Sequence, residues 1–182
     1  MTQFIQSNIN FVVTTLTLLS NIVFVGVIGF MFFDRKFKDL VFDFVNKHIL
    51  KLIFVTSATA MIGSLVYSTV VGFPPCELCW IQRIFMFPQP ILTLLAMRKK
   101  DKSIVDYLLV LSILGGAVAL YHSLSNLGIG DGVVGCTSLA GDCAKLYVLE
   151  YGYITIPFMS FSIFAYLIGI SIIYYKSRNV RI

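Results

Sequence analysis

Charged residues are scarce in this 182-residue chain and absent from four long stretches. Charged side chains make up 13% of the sequence, against about 25% in soluble domains, and 58% of the residues are hydrophobic. The uncharged stretches are Met1–Phe33, Leu52–Cys76, Tyr107–Gly130 and Tyr151–Tyr175. A fifth apolar stretch, Leu78–Met97, carries a single charge, Arg83. Each stretch is long enough for the roughly 20 helical residues that cross a ~30 Å hydrocarbon core. The sequence therefore predicts an all-α membrane protein with five transmembrane helices and no separate soluble domain.

Basic residues are nearly missing from one side of this arrangement. Of fourteen Lys and Arg residues, twelve fall in three segments that share one side, Arg35–Lys51, Arg98–Lys102 and Lys176–Arg181. The other side has Lys145, with Arg83 just inside the membrane. The positive-inside rule places the basic side and the C-terminus in the cytoplasm and all four cysteines on the extracytoplasmic side. The net charge of +5 thus reflects membrane insertion, so membrane lipid is an expected partner and nucleic acid is not.

A cleaved signal peptide is not expected at the N-terminus. The first ten residues contain neither Lys nor Arg, and the apolar run that follows is too long for a signal peptide. The predicted helices are Asn10–Phe33, Leu52–Gly72, one from the cysteine pair to Met97, Ile104–Leu127 and Ile154–Tyr174. Pro88 and Pro90 should kink the third helix. Between the first two helices, Phe37–Ile49 has apolar residues at three-to-four spacing. This pattern favours an amphipathic helix on the cytoplasmic interface, the alternative being an extension of the second helix into water.

Only four cysteines are present, and they form two pairs. Cys76 and Cys79 follow Pro74-Pro75 with the C-x-x-C spacing that is common in redox-active pairs. Cys79 should lie in the first turn of the third helix, where free N–H groups and the helix dipole favour a thiolate. Cys136 and Cys143 lie in a glycine-rich loop that leads into the last helix. A structural disulfide is one interpretation of this loop pair, and a four-cysteine zinc site is another. A redox pair is the third, because two dithiols on one face permit electron relay by thiol–disulfide exchange.

Three polar residues are predicted to line a pocket near the first cysteine pair. Arg83 lies one helical turn beyond Cys79 on the same face, and an arginine at this depth is a functional candidate, although it can also snorkel to the headgroups. His122 lies about as deep in the fourth helix, so it is either a pocket residue or a hydrogen-bonded interface histidine. Gln82 is the third candidate. Trp80 fits an interfacial aromatic belt.

Two motifs resemble one bacterial family. The segment Pro75-Cys76-Glu77-Leu78-Cys79-Trp80-Ile81-Gln82-Arg83 resembles the signature of the disulfide-bond formation protein B (DsbB) family, particularly its short BdbC branch. The segment from Tyr151 to Ser160 is similar to the final-helix motif of that branch, with the loop cysteines between the two motifs. The resemblance implies a four-helix bundle, formed here by residues 47–182, that binds a quinone (menaquinone or ubiquinone). Residues 1–46 would then be an additional transmembrane helix and amphipathic segment.

The resemblance also implies a role for each cysteine. Cys79 would face the quinone, and Cys76 would exchange with the loop pair. Cys136 would form a mixed disulfide with an extracytoplasmic thioredoxin-fold partner, and Cys143 would resolve it. Arg83 would hold the quinone.

The function expected from these features is that of a membrane thiol:quinone oxidoreductase supporting disulfide bond formation. A vitamin-K-epoxide-reductase-like protein is an alternative, although there the C-x-x-C usually follows the loop pair, whereas here it precedes it. A non-catalytic membrane protein with structural disulfides or a metal site is the alternative from another class.

Overall fold

The computed structural model describes residues 2–126 and 146–179, and it is helical throughout the transmembrane part. The helices are α1 (Thr2–Phe33), α2 (Arg35–Leu65), α3 (Glu77–Met86), α4 (Pro88–Lys99), α5 (Ile104–Asn126) and α6 (Ile156–Asn179), with a π-helical turn at Val66–Val70. Within the described residues, five spans are long and apolar enough to cross a membrane, since α3 and α4 together form one of them. The predicted fold class is therefore confirmed: an all-α integral membrane bundle with an additional N-terminal helix.

The third predicted span is interrupted where its prolines lie. Helix α3 ends at Met86 and α4 begins at Pro88, so the break falls at Phe87. Proline lacks the N–H that would continue the α-helical ladder and its ring crowds the preceding turn. Gln89 compensates in part, because its side-chain Nε2 donates to the carbonyl of Phe85 at 3.0 Å.

The predicted interfacial helix at Phe37–Ile49 is wrong. The segment is the first part of α2, which runs without interruption from Arg35 to Leu65, as the alternative interpretation held. Its apolar positions Phe42, Val45 and Ile49 are buried against protein. No proline or glycine interrupts Arg35–Ile62, and packing against the bundle supplies the burial that the headgroups were expected to give. The span Arg35–Val70 has 36 residues, or about 54 Å of helix, so it extends well beyond a ~30 Å hydrocarbon layer.

The two ends of the bundle differ in character. One end, here called the basic end, carries the α1–α2 junction, the α4–α5 connection and the C-terminal turn of α6. The other, here called the cysteine end, carries Val71–Cys76 and residues 146–155. The main core lies toward the basic end, where the first half of α2 packs with α5 and α6. Its fully buried members include Ile49, Ile53, Val105, Leu108, Phe164 and Leu167.

Toward the cysteine end, α2 and α6 line a cavity. There the second half of α2 no longer faces the main core but lines the cavity through Thr59 and Gly63, and Tyr67 of the π-helical turn lines it too. Helix α6 contributes Pro157, Ser160 and other residues of its first turns. The fold therefore places a tightly packed half-bundle at the basic end and an open, ligand-sized space beside the cysteines.

Candidate functional site

Irregular backbone between α2 and α3 positions Cys76. The π-helical turn Val66–Val70 is followed by Gly72, whose φ of 81° lies in the left-handed region that favours glycine. Pro74 and Pro75 then keep the chain extended, so that Cys76 reaches the start of α3 with φ −75° and ψ 174°. Cys76 is the N-cap residue of α3. The short Pro-Pro segment thus determines where the C-x-x-C pair begins.

The first cysteine pair is arranged for disulfide chemistry. Cys79 lies in the first turn of α3, as predicted, and the Cys76 and Cys79 sulfurs are 2.9 Å apart. A disulfide bond measures about 2.05 Å, so the pair closes with a small side-chain movement. Two thiolates on one tetrahedral zinc would lie about 3.8 Å apart, given Zn–S bonds of about 2.3 Å. The observed separation therefore fits a dithiol–disulfide pair better than a pair of zinc ligands.

Cys76 has the surroundings of a stabilised thiolate. Its Sγ accepts a hydrogen bond from the backbone N–H of Cys79 at 3.4 Å and lies 3.8 Å from His122 Nε2. The Cys79 side chain contributes most, His122 contributes further, and together they hold the pKa of the Cys76 thiol well below its usual range despite burial. The N-terminus of α3 thus stabilises the Cys76 thiolate, whereas the sequence predicted this effect for Cys79.

His122 and Gln82 form one buried hydrogen-bonded unit. Both side chains are buried, and Gln82 Nε2 lies 3.0 Å from His122 Nδ1. An amide nitrogen only donates, so with this amide orientation Nδ1 accepts and the ring proton of a neutral His122 resides on Nε2. That proton then faces Cys76 Sγ. The structure brings both predicted residues to the cysteine pair, with Gln82 orienting the imidazole.

Arg83 extends sideways to α2. Its Nε donates to Ser64 Oγ at 2.9 Å, and a terminal nitrogen donates to the Ser64 carbonyl oxygen at 3.0 Å. The guanidinium also lies over the rings of Trp80 and Phe87, at 5.1 and 5.7 Å from their centroids. Ser64 is six residues before the end of the second span and Arg83 six residues after Glu77. These contacts hold the Arg83 guanidinium at the level of Arg83 itself in the bundle.

A cavity of about 670 Å³ opens beside these residues. Cys76, Cys79, Gln82, Arg83 and His122 all line it, and its volume falls in the range of about 300–1,000 Å³ typical of small-molecule sites. The remaining walls are largely apolar and come from α1, α2, α6 and the chain segments at the cysteine end. The structure therefore gathers all five described candidate residues at one ligand-sized cavity.

Three further polar residues line the cavity and were missed from the sequence. Among the described residues, buried polar atoms without a hydrogen-bond partner include Tyr67 Oη, Ser160 Oγ and Asn126 Oδ1. Leaving a buried donor or acceptor unpaired costs about 1–3 kcal/mol, so such a group calls for a ligand or water. The available signal for these three residues in the sequence was a polar residue within an apolar helix. Many such residues hydrogen-bond to their own helix backbone instead, as Ser57 does.

The predicted loop pair, Cys136 and Cys143, lies outside the described residues, as do most of the loop glycines. Within the described residues, Cys76, Cys79 and His122 form the group whose donor atoms, all within 4.8 Å of one another, could hold a metal ion. A zinc site formed by all four cysteines was one interpretation of the sequence, and the 2.9 Å separation of the Cys76 and Cys79 sulfurs favours the redox interpretation.

Comparison with known proteins identifies a family. The family model described as disulfide bond formation protein DsbB matches residues 46–174. The SPbeta prophage-derived disulfide bond formation protein B of Bacillus subtilis is 39% identical over 131 residues, covering 71% of this chain and 88% of that protein. Disulfide bond formation protein C of the same organism is 36% identical over 115 residues, covering 63% of this chain and 83% of that protein. A probable disulfide formation protein of Oceanobacillus iheyensis is 41% identical over 115 residues, which is 63% of this chain and 79% of that protein. No solved structure matches the chain.

Proposed function

Because this chain belongs to the DsbB family of disulfide bond formation proteins, we propose that it is a membrane thiol:quinone oxidoreductase. Its donor would be an extracytoplasmic protein of the thioredoxin fold, which it would reoxidise, and its acceptor a membrane quinone. The supporting observation is a C-x-x-C pair with a 2.9 Å sulfur separation at an apolar, intramembrane cavity that also contains Arg83. A purely structural disulfide does not need a cavity of this size beside it.

The cavity residues suit a quinone. Its ring carbonyls accept hydrogen bonds, and the guanidinium of Arg83 and the hydroxyls of Tyr67 and Ser160 are donors in the cavity wall. The Tyr67 and Ser160 oxygens have no partner in the described structure, so a bound carbonyl would remove a desolvation cost. The other walls offer the hydrocarbon surface that a lipid-soluble ring and its tail require. When bound, quinone would accept two electrons and two protons.

Each cysteine of the chain would have a separate role in the thiol chemistry. We assign Cys79 to the acceptor side, since it is less buried than Cys76 and lies one helical turn from Arg83 in the cavity wall. Cys76, next to His122, would exchange with the loop pair, and His122 Nε2 would give its proton to, or take one from, the Cys76 sulfur. A partner thiolate would attack the Cys136–Cys143 disulfide at Cys136 and displace Cys143, and the partner's second thiol would then displace Cys136 to complete the partner disulfide. The reduced loop pair, Cys136 and Cys143, would pass the two electrons on to the Cys76–Cys79 disulfide. Each turn oxidises one partner dithiol to a disulfide and releases two electrons and two protons.

The proposed orientation follows the charge distribution. The cysteine end would face the extracytoplasmic side and the basic end, with the C-terminus, the cytoplasm. In that orientation Cys136 and Cys143 lie on the side of the membrane where a secreted or anchored thiol partner is found and where disulfides persist.

Anaerobic quinone reduction tests the proposal. Purified protein should reduce a quinone when supplied with a reduced thioredoxin-fold donor, and the Cys79→Ala variant should not. When it is mixed with the oxidised donor, Cys143→Ala should accumulate a mixed disulfide in which the Cys136 thiolate has attacked the donor disulfide, because the Cys143 thiol that would displace the donor is gone. If Cys136→Ala and Cys143→Ala only lower thermal stability while the remaining pair oxidises the donor at the ordinary rate, the loop pair is structural and the relay is excluded.

A further inference from the structure

Helix α1 contributes a wall of the cavity although it lies outside the residues that match the family. The match begins at residue 46, whereas α1 spans Thr2–Phe33. Four of its residues, recurring at three-to-four spacing on one face, line the cavity: Val13, Leu16, Thr17 and Ser20. The helix also packs against both α2 and α6. The additional helix thus borders the same space as the C-x-x-C pair.

Hydrogen bonds hold α1 beside the cavity at several levels along its length. Near the cysteine end, Gln6 Nε2 donates to the Val71 carbonyl at 2.9 Å, and the Thr15 and Tyr151 hydroxyls are 2.9 Å apart. Deeper in the bundle, the Tyr166 hydroxyl on α6 donates to Asn21 Oδ1 at 2.6 Å. A helix that contacted only lipid beside the bundle would not form these hydrogen bonds.

A close approach of α1 to α6 lies one turn further along. The Phe24 ring lies over Gly169, where an added Cβ would come within 2.6 Å of Phe24 Cζ. Phe24 also packs on Tyr166, with ring centroids 4.7 Å apart. Glycine at position 169 therefore lets α1 dock closely enough to border the cavity.

The face of α1 that borders the cavity presents hydrocarbon. The Thr17 hydroxyl donates to the carbonyl of Val13 at 2.8 Å, which leaves its methyl group for the cavity. The Ser20 hydroxyl donates to the Thr17 carbonyl and lies within hydrogen-bond distance of the Tyr166 hydroxyl. The polar atoms that suit ring carbonyls, on Arg83, Tyr67 and Ser160, belong to the other walls. A ligand with a polar ring and an apolar tail would therefore place its tail toward α1.

The cavity is also longer than a ring alone requires. Its lining on α2 extends from Ser64, the partner of Arg83, to Val55, nine residues or about 13 Å deeper along the helix. This deeper part is bordered by Ile163 and Tyr166 of α6 and by Ser20 of α1. It provides an elongated apolar space that is continuous with the site of the cysteines.

We propose that α1 forms the wall of a tail-binding channel and that Leu16 and its neighbours contact the polyprenyl tail of the quinone. This inference rests on the proposed function and adds the part of the acceptor that α1 recognises. Residues 1–46 would thus be part of the acceptor site in addition to being an extra membrane anchor. The added helix would favour tailed over tailless acceptors.

A matched pair of variants tests the channel. Leu16 and Leu19 lie three residues apart on α1 and are similarly exposed, 60% and 53%, but Leu19 does not line the cavity. In the full-length protein, Leu16→Trp should lower the quinone that co-purifies and weaken equilibrium binding of a menaquinone about tenfold or more. Binding of menadione, which has the ring without the tail, should change less than threefold. Leu19→Trp should match wild type in every measurement.

Leu16→Ala separates contact from misfolding. It introduces no bulk, and by removing hydrocarbon contact it should weaken menaquinone binding about fivefold, with the melting temperature unchanged. Equal menaquinone affinity in the Leu16 and Leu19 variants would overturn the channel, and so would equal losses for menadione and menaquinone. A wild-type protein that neither binds nor reduces any quinone would instead overturn the proposed function, so the two failures are distinguishable.

Discussion

The two cysteines of the C-x-x-C pair occupy different environments although only two residues lie between them. Cys76 is buried, caps α3, and faces the imidazole of His122. Cys79 is half-buried and lies one turn from Arg83 on the cavity side. These surroundings stabilise the Cys76 thiolate of the reduced pair. In the proposed relay a loop thiolate would attack the Cys76–Cys79 disulfide at Cys76, and Cys79 would face the acceptor.

The low pKa of Cys76 predicts thiolate chemistry under mildly acidic conditions. In the reduced protein with both loop cysteines replaced by alanine, thiolate absorbance should persist as pH falls from 8 to 6, while an ordinary thiol with a pKa of about 8.5 is protonated. The sign follows from the lowered pKa, since the thiolate is lost only as pH falls through that lowered value. Cys79→Ala removes the largest stabilising contact, so it should return the Cys76 titration toward the ordinary range. A Cys76 that titrates near 8.5 in the parent protein would contradict this assignment.

Arg83→Ala should impair acceptor use far more than exchange with the partner. The guanidinium lies in the cavity wall, away from the loop that is proposed to meet the partner. We expect the KM for quinone to rise tenfold or more, with the rate of mixed-disulfide formation unchanged. Ser64→Ala is the matched control, because it removes the hydroxyl acceptor but keeps the carbonyl, so its effect should be smaller. An unchanged KM and turnover in Arg83→Ala would leave Arg83 as a structural tie between α3 and α2.

Tyr67→Phe should separate ligand binding from folding. The Tyr67 hydroxyl is buried at the cavity without a partner in the described structure. Removing an unsatisfied buried hydroxyl relieves a cost of about 1–3 kcal/mol, so the quinone-free variant should melt at the same or a higher temperature. Quinone affinity should nevertheless fall several-fold. Stability that drops while quinone affinity stays at the wild-type value would indicate a packing role for the hydroxyl.

At the scale of the helices, the contact between α1 and α6 depends on one small residue. Gly169→Ala should push the Phe24 ring away and loosen α1, because a Cβ there would meet Phe24 Cζ at 2.6 Å. We expect a lower melting temperature and less co-purified quinone, with overpacking costing about 1–3 kcal/mol.

Gly26→Ala provides the control for this prediction. It lies on α1, and a Cβ at this position meets nothing within 4 Å. Since alanine is the better helix former, this variant should be as stable as wild type or slightly more so. Equal behaviour of the two alanine variants would show that α1 does not dock closely through Gly169.

At the scale of the whole molecule, the bundle has a basic end and a cysteine end on opposite sides of its hydrophobic layer. This separation predicts the outcome of labelling intact cells with a membrane-impermeant thiol reagent after reduction. Cys136 should be labelled, whereas a cysteine introduced by Lys99→Cys should be labelled only after permeabilisation. Labelling of the Lys99→Cys site with no labelling of Cys136 would invert the orientation and exclude the proposed extracytoplasmic partner.

The sequence alone determined the helices and the position of the cysteine pair. Five apolar runs of membrane-spanning length are expected to form helices, because backbone N–H and C=O groups in hydrocarbon must be hydrogen-bonded within a helix. Pro74 and Pro75 necessarily end one helix and place Cys76 at the start of the next. The break between α3 and α4 at Phe87 follows from Pro88 for the same local reason.

Only the tertiary structure decided which surfaces meet. The apolar stripe in Phe37–Ile49 indicates a face to be buried, but headgroups and neighbouring helices satisfy that pattern equally well. Likewise, the rotation of α2 and α5 about their axes determined that Ser64 receives Arg83 and that Gln82 orients His122. In an apolar chain nearly every helix face is hydrophobic, so periodicity does not distinguish lipid contact from protein contact. For that reason the position of α1 beside the cavity became apparent only once the helices were packed together.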